Sequence, residues 1–259
     1  MEVWQYIVAI VGSFFAGAIN TLAGNGSTIT LTILMEVLGL SPNIANGTNR
    51  VGIFTQSAAS SWAFYRHGKL NIRRSWALIM FTSIGAIIGI IVATQISPDN
   101  FKRVFRFLLV FMLFVILIKP ERWLRQTDPD FRPSLWLAVP MFLALGFYGG
   151  FIQMGMGVFF LAVMVLSARY SLIDSNAVKV VVVGLYTSIA LLIFHLQGLI
   201  DWRIGLLMAI GQTAGGYLTA VYASKSDQAN LWAHRLLVVV VLLSVIKVFN
   251  LHTWIMKWI

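Results

Sequence analysis

Apolar residues run along this chain in blocks too long for the core of a soluble domain, and the few polar residues inside them tell the blocks apart. Eight runs, at 4–22, 43–65, 75–96, 101–118, 135–152, 175–196, 203–223 and 231–249, are long enough to cross a bilayer, which takes about 20 mainly apolar residues. Two more, at 28–40 and 158–168, are too short to cross and read as re-entrant or broken-helix segments. Each follows a glycine break, Gly24-Asn25-Gly26 or Gly155-Met156-Gly157. The pattern predicts an all-α, polytopic integral membrane protein with about eight transmembrane helices.

The breaks are not isolated. Slid on itself near 130 residues, the sequence matches: the stretch from Arg66 to Arg74 falls on that from Leu196 to Ile204, so that Gly68 meets Gly198 and Arg73 meets Arg203. With one more residue of shift, Gly24 and Gly26 fall on Gly155 and Gly157. The expected organisation is a first transmembrane repeat over 1–118, a polar linker over 119–134 with Pro120, Pro129 and Pro133, and a second repeat over 135–259. Duplicated membrane units are a common transporter plan, with sites near the midplane where broken helices of the two repeats meet. Whether the copies are parallel or inverted depends on whether each short run crosses the membrane.

Composition agrees with a membrane chain: 59% of residues are hydrophobic, 11% are charged, and the mean hydropathy is +0.83. The net charge of +10 sits in short loops rather than in a basic domain, which argues against a nucleic-acid partner. Arg66, Lys69, Arg73 and Arg74 form one cluster and Lys119, Arg122, Arg125 and Arg132 another, two spans apart, so both can face the cytoplasm of an inner membrane. The first run does not read as a cleaved leader, because Glu2 stands where a leader carries Lys or Arg. No cysteine is present, which excludes thiolate metal sites and thiol chemistry. The four histidines have no metal-ligand spacing and no carboxylate pair lies within a span, so neither an enzyme nor a metal or cofactor is expected.

Two cations do lie inside spans, Arg50 and Lys179, at matching places to within a residue or two. Ionisable groups at depth are costly and face a cavity or a partner. Helical spacing brings Asn46, Ser57, Ser60 and Ser61 towards the face of Arg50, and Asn176 and Thr187 towards that of Lys179. The nearest carboxylates in sequence, Glu36 and Asp174, read as interfacial, so a bound anion would compensate the cations. Snorkelling of both side chains to an interface is the alternative. The expected substrate-binding set is Asn20, Gly24, Asn25, Gly26, Asn46, Asn49, Arg50, Gln153, Gly155, Gly157, Asn176 and Lys179.

Over nearly the whole chain these residues resemble the TauE/SafE-type sulfite exporters, also called the toluene sulfonate uptake permease group. The resemblance rests on "FFAGAINTLAGNGSTITLTIL", "SPNIANGTNRVG" and "RHGKLNIRRSW" in the first half. In the second it rests on "GFYGGFIQMGMGVFFLAV", "NAVKVVVV" and "GLIDWRIGLLMAIGQTAGGYLTA". It implies a duplicated helical transporter whose substrates are sulfite or organosulfonates. The expectation is therefore a secondary carrier of a small anion working by alternating access, with the lipid bilayer and a possible coupling ion as its other partners. A passive anion channel and a non-transporting membrane scaffold are the competing expectations.

Overall fold

The computed structural model describes residues 2–93, 123–124, 126–128, 130–131, 134–152 and 155–248, and among these residues every regular element is a helix. The expected span 101–118 lies outside the described residues, as does Gln153. The helices are α1 (Val3–Leu22), α2 (Ser27–Thr32, continued by a π turn, Ile33–Val37), α3 (Pro42–Arg66) and α4 (Ile72–Ala93). They continue as α5 (Leu135–Ile152), α6 (Met156–Ala162, with a π turn, Val163–Ser167), α7 (Leu172–Leu196), α8 (Trp202–Lys225) and α9 (Ala229–Val248). Four of the described helices are long and apolar enough to cross a membrane: Val3–Leu22, Ser75–Val92, Leu172–Leu196 and Trp202–Lys225. At 25 residues α3 is long enough, but its buried Thr48, Asn49, Arg50, Gln56, Ser57 and Ser60 dilute its hydropathy.

The two short runs turn back instead of crossing. Gln5 Nε2 donates to the Val37 carbonyl at 2.9 Å. A Cβ on Gly12 would lie 2.4 Å from Ile33 Cδ1, and one on Gly26 would lie 2.0 Å from the Ala16 carbonyl oxygen. The partners fall in number along α2 as they rise along α1, so the two helices form a hairpin whose tip is the stretch from Ala23 to Gly26. In the second half, Phe142 packs on Phe160 at 6.3 Å and Tyr148 on Phe159 at 5.1 Å between ring centroids, which pairs α5 with α6 in the same way. A left-handed residue makes each reversal possible: φ is +77° at Gly24 and +76° at Gly155, a region open to glycine because it lacks Cβ.

Contacts also fix the directions of the long helices. Gly47 and Arg50 lie against Phe194, and Ser57 lies against Gly184, so α3 and α7 run antiparallel. Gly205, Gly211 and Gly215 of α8 face Val51 of α3 and Ile10 and Phe14 of α1, in rising order along the chain. In the same manner α4 and α5 run side by side, and a Cβ on Gly146 or Gly150 would come within 1.9 Å of the Thr82 or Ala86 carbonyl oxygen. Small residues four apart let these backbones approach without water to drive the packing. The large apolar side chains of α1 face outwards: Val3, Trp4, Ile7, Val11 and Phe15 are each about half exposed or more, as a lipid-facing stripe requires.

The left-handed residues come in pairs of matching place. Besides Gly24 and Gly155, they are Gly39 with Arg169, after the two π turns, and Gly68 with Gly198, after α3 and α7. The segment expected as a plain linker is docked. Trp123 is fully buried near the His234 ring, the Asp128 N–H donates to the Arg169 carbonyl at 3.0 Å, and Thr127 Oγ1 accepts from the Ser171 N–H at 2.8 Å while donating to Asp174.

Candidate functional site

The two hairpin tips meet back to back. A Cβ on Gly24 would lie 2.4 Å from Gly157 Cα and one on Gly157 2.3 Å from Gly24 Cα, so any larger residue at either position would push the tips apart. Beside this junction lies a cavity of about 10 Å³, lined by Asn20, Gly24, Ser27, Met156, Gly157 and Lys179 with Ile53, Ser57, Val180, Val183 and Tyr186. That volume holds about one water molecule. A solute needs the walls to move.

The sequence breaks α1 here, and the break leaves carbonyl groups that a continuing helix would have satisfied. All are accounted for. The Ile19 carbonyl accepts from the Ala23 and Gly24 N–H groups, and the Asn20 carbonyl from Gly24 at 3.1 Å. Lys179 Nζ donates to the Asn20 carbonyl at 2.8 Å and to the Thr21 carbonyl at 3.0 Å. The Leu22 carbonyl accepts from Asn176 Nδ2 at 3.0 Å, and Asn176 Oδ1 in turn accepts from Lys179 Nζ. Two residues of α7, one turn apart, thus close the end of α1, and the positive ammonium sits at the negative end of a helix dipole. Asn20 and Thr21 are tied to α3 as well: Asn20 Nδ2 donates to Gln56 Oε1 at 2.9 Å and Gln56 Nε2 to Thr21 Oγ1 at 3.0 Å.

Arg50 has a different setting. It is 3% exposed, its guanidinium carbon lies 5.6 Å from the centre of the Phe194 ring, and its Nε and Nη1 donate to nothing. Next to it in sequence, both amide atoms of the buried Asn49 also lack partners, as do Ser57 Oγ and Thr187 Oγ1. Arg50, Ile53 and Ser57 share a face of α3 at helical spacing, and the last two line the cavity; so does Tyr186, which is in electrostatic reach of Arg50. Neither cation snorkels. Among the described residues the one salt bridge is the exposed pair Arg169–Asp128, so no carboxylate answers either buried charge.

Of the residues expected from sequence, the cavity brings together Asn20, Gly24, Gly157 and Lys179, with Asn176 one bond behind them. Asn25, Gly26 and Gly155 shape the hairpin turns instead: Asn25 Oδ1 accepts from Thr28 Oγ1 at 2.9 Å, Gly26 packs on Ala16, and Gly155 carries the positive φ. Asn46 is half-buried on α3, and Asn49 and Arg50 stand beside the cavity rather than in its wall. Sequence reasoning missed Tyr186, Gln56 and Thr21. Gln56 carried a signal, an amide in mid-span that has to find a partner.

The profile of the family described as Sulfite exporter TauE/SafE matches residues 9–248. The chain belongs to the TauE/SafE family. It is 27% identical over 215 residues to a protein named probable membrane transporter protein ORF9 of Sinorhizobium sp, covering 82% of this chain and 81% of that one. It is 28% identical over 208 residues to a probable membrane transporter protein of Haemophilus influenzae, covering 80% of each chain. Against the probable membrane transporter protein YfcA of Escherichia coli K12 the figure is 25% over 207 residues, covering 78% of this chain and 75% of that one. No solved structure matches. Membership makes this a multi-pass membrane transporter with a small-molecule substrate, and the apolar helices and lipid-facing stripe fit that assignment.

Proposed function

We propose that the protein is a secondary carrier of a small oxyanion in the inner membrane, with sulfite or an organosulfonate as the substrate class, moved by alternating access between two inverted repeats. The observation that carries this reading is Arg50: a buried guanidinium with unpaired Nε and Nη1, next in sequence to the buried Asn49, whose amide atoms also lack partners. A buried cation without a counter-charge is strongly unfavourable, and a bound anion is the partner that would offset it. Arginine presents several donors to a planar or tetrahedral oxyanion, which suits a sulfur–oxygen group. The family's description names sulfite, in agreement with that chemistry.

The inverted arrangement is supported by the antiparallel run of α3 and α7 and by the matched left-handed residues. A hairpin that returns to its own side adds no crossing; α3, α4 and the span expected at 101–118 then give an odd number per half, which turns the second half over. Charge agrees. The α3–α4 turn carries Arg66, Lys69, Arg73 and Arg74, whereas the α7–α8 turn carries Asp201 against Arg203, so the first belongs to the cytoplasmic side. A cavity with room for about one water molecule supports a carrier over a continuously open channel.

The test is a calorimetric screen of purified protein against sulfite, sulfate, thiosulfate, sulfonates and carboxylates, followed by counterflow of the best ligand in proteoliposomes. Saturable counterflow whose half-saturating concentration rises about tenfold to a hundredfold in Arg50→Gln is the expected result. No binding to any oxyanion, or conduction that does not saturate, would overturn the proposal.

A further inference from the structure

Lys179 both lines the cavity and caps the end of α1, where the first hairpin turns. Its Nζ faces three acceptors, the Asn20 and Thr21 carbonyls and Asn176 Oδ1, one for each N–H group of an ammonium. All three are neutral. A neutral amine offers only two N–H groups and would turn a lone pair on the third acceptor, so donation to all three takes an ammonium. The Leu22 carbonyl is held separately, by Asn176.

We infer that Lys179 is a positioning residue, a latch that grips the end of α1 and so keeps the Ala23–Gly26 tip seated against Gly157 and the cavity small. Three further features point the same way. The first hairpin supplies one wall of the cavity, through Asn20, Gly24 and Ser27. Gly24, at φ +77°, is a backbone position that can swing without a side-chain clash. The opposite wall, on α7, carries the latch itself. Resting on the carrier reading above, the latch also has an opener: an anion in the cavity is a stronger acceptor than an amide carbonyl, so its arrival draws the ammonium off the Asn20 and Thr21 carbonyls and frees the tip. Binding and opening are then coupled through one side chain.

The latch is testable without any solute. The protein has no cysteine, so Lys179→Cys introduces a single thiol. Alkylation with 2-bromoethylamine, which forms a C–S bond and expels bromide, rebuilds a lysine-length ammonium; 1-bromopropane builds the same length without charge or donors. Hydrogen–deuterium exchange of the full chain in nanodiscs reads the amides of residues 23–28. The unmodified and propylated Lys179→Cys protein should exchange there at least tenfold faster than wild type, with α3 and α8 unchanged, and the aminoethylated protein should return to the wild-type rate. Equal tip exchange in all four forms would overturn the inference. So would equal restoration by both reagents, because the pin would then be bulk rather than a donated proton. Should Lys179→Cys fail to fold, Asn176→Ala carries the test: it removes one acceptor of the latch and the donor to Leu22, and an unchanged tip in that variant would be equally fatal. A tip that quickens as expected in a protein that binds no oxyanion leaves the latch standing and removes only its opener.

Discussion

In α7 the ammonium of Lys179 meets an acceptor for each of its N–H groups; in α3 the guanidinium of Arg50 meets none at Nε or Nη1. The helices that carry them are otherwise a matched pair. Both are 25 residues long, both start after a serine, and Pro42–Arg66 lies 130 residues before Leu172–Leu196. In that register Lys179 corresponds to Asn49, not to Arg50, and a helix turns about 100° per residue. One position of offset is enough to send one cation onto the end of α1 and the other towards Phe194 and Tyr186. The difference teaches that two buried charges of like sign need not share a task. One meets acceptors supplied by the protein, and the other lacks partners at Nε and Nη1.

The comparison breaks most visibly at Lys179. Lys179→Met should strand the Thr21 carbonyl and Asn176 Oδ1 and leave the Asn20 carbonyl with the Gly24 N–H alone, at about 1–3 kcal/mol for each buried acceptor left unmade, for a loss of about 3 kcal/mol in all. Thermal unfolding in nanodiscs should show a Tm lower by roughly 6–12 °C. A Tm within a degree of wild type would mean that the carbonyls have another donor and that Lys179 is free for the ligand after all.

Arg50 should answer in the opposite way. Arg50→Gln removes a buried charge that no carboxylate among the described residues answers, so its Tm should stay level or rise, while the affinity for the best oxyanion falls by about tenfold to a hundredfold, the worth of a charge-assisted hydrogen bond. Calorimetry on the folded variant decides it. Arg50→Lys should not restore the affinity in full, since a compact ammonium does not present a planar fork. A large loss of Tm in Arg50→Gln would place its guanidinium in a structural pairing and erase the contrast with Lys179.

Between these two effects lies the hairpin junction, next to which Lys179 stands. Gly157→Ala puts a Cβ 2.3 Å from Gly24 Cα, where backbone and not a flexible side chain must yield. The tips should part at a cost of about 1–2 kcal/mol, the lower part of the usual range for overpacking because two hairpin tips can separate where a core cannot. Tip amides should exchange faster even with Lys179 intact. Unaltered exchange would show that the glycine contact is not what closes the cavity.

How much of this could be read from the chain beforehand differs by residue. The interruptions at Gly24–Gly26 and Gly155–Gly157 were legible because glycine, asparagine and serine stand out in an apolar run, and because the pattern recurs. The direction of the chain after each break was not legible: hydropathy gives the length of a segment but not whether it goes on or returns, and the evidence for return lies in contacts such as Gln5 with Val37. Lys179 was legible as a buried cation, but its partners were not, because backbone carbonyls leave no mark in a sequence. The reading that both cations wait for an anion rested on the cost of charge at depth and the shortage of nearby carboxylates; in the structure the end of α1 offers Lys179 neutral acceptors. Arg50, offset by one residue, is turned away from that helix end and finds no acceptor at Nε or Nη1.

Arg169 and Asp128 provide the surface control for the two buried cations, and the smallest effect. Arg169 Nη1 lies 3.4 Å from Asp128 Oδ2 and its guanidinium stacks 4.2 Å from the centre of the Phe131 ring, with both charged side chains well exposed. Partial desolvation pushes the Asp128 carboxyl up, but the N–H groups of Phe131 and Asp130 and the Arg169 guanidinium outweigh it and hold the group below its usual range. A carboxylate lowered in this way stabilises the folded state above the unfolded value of about 3.9 and loses that contribution as pH falls through the lower folded value. The docked linker should therefore be indifferent to pH from neutrality down to about 4 and loosen only in stronger acid. Protection of the Asp130 and Phe131 amides, corrected for intrinsic exchange, is the direct readout. Asp128→Asn keeps an oxygen for those amides and loses the ion pair, so it should abolish the acid transition while leaving protection at pH 7 almost unchanged, and Tm less affected than by any change at Lys179, Arg50 or Gly157, as expected of a screened surface pair. A transition that persists in Asp128→Asn would assign the acid sensitivity to another group, and a large loss at pH 7 would mean that an exposed pair holds the linker as firmly as the buried ammonium holds the hairpin.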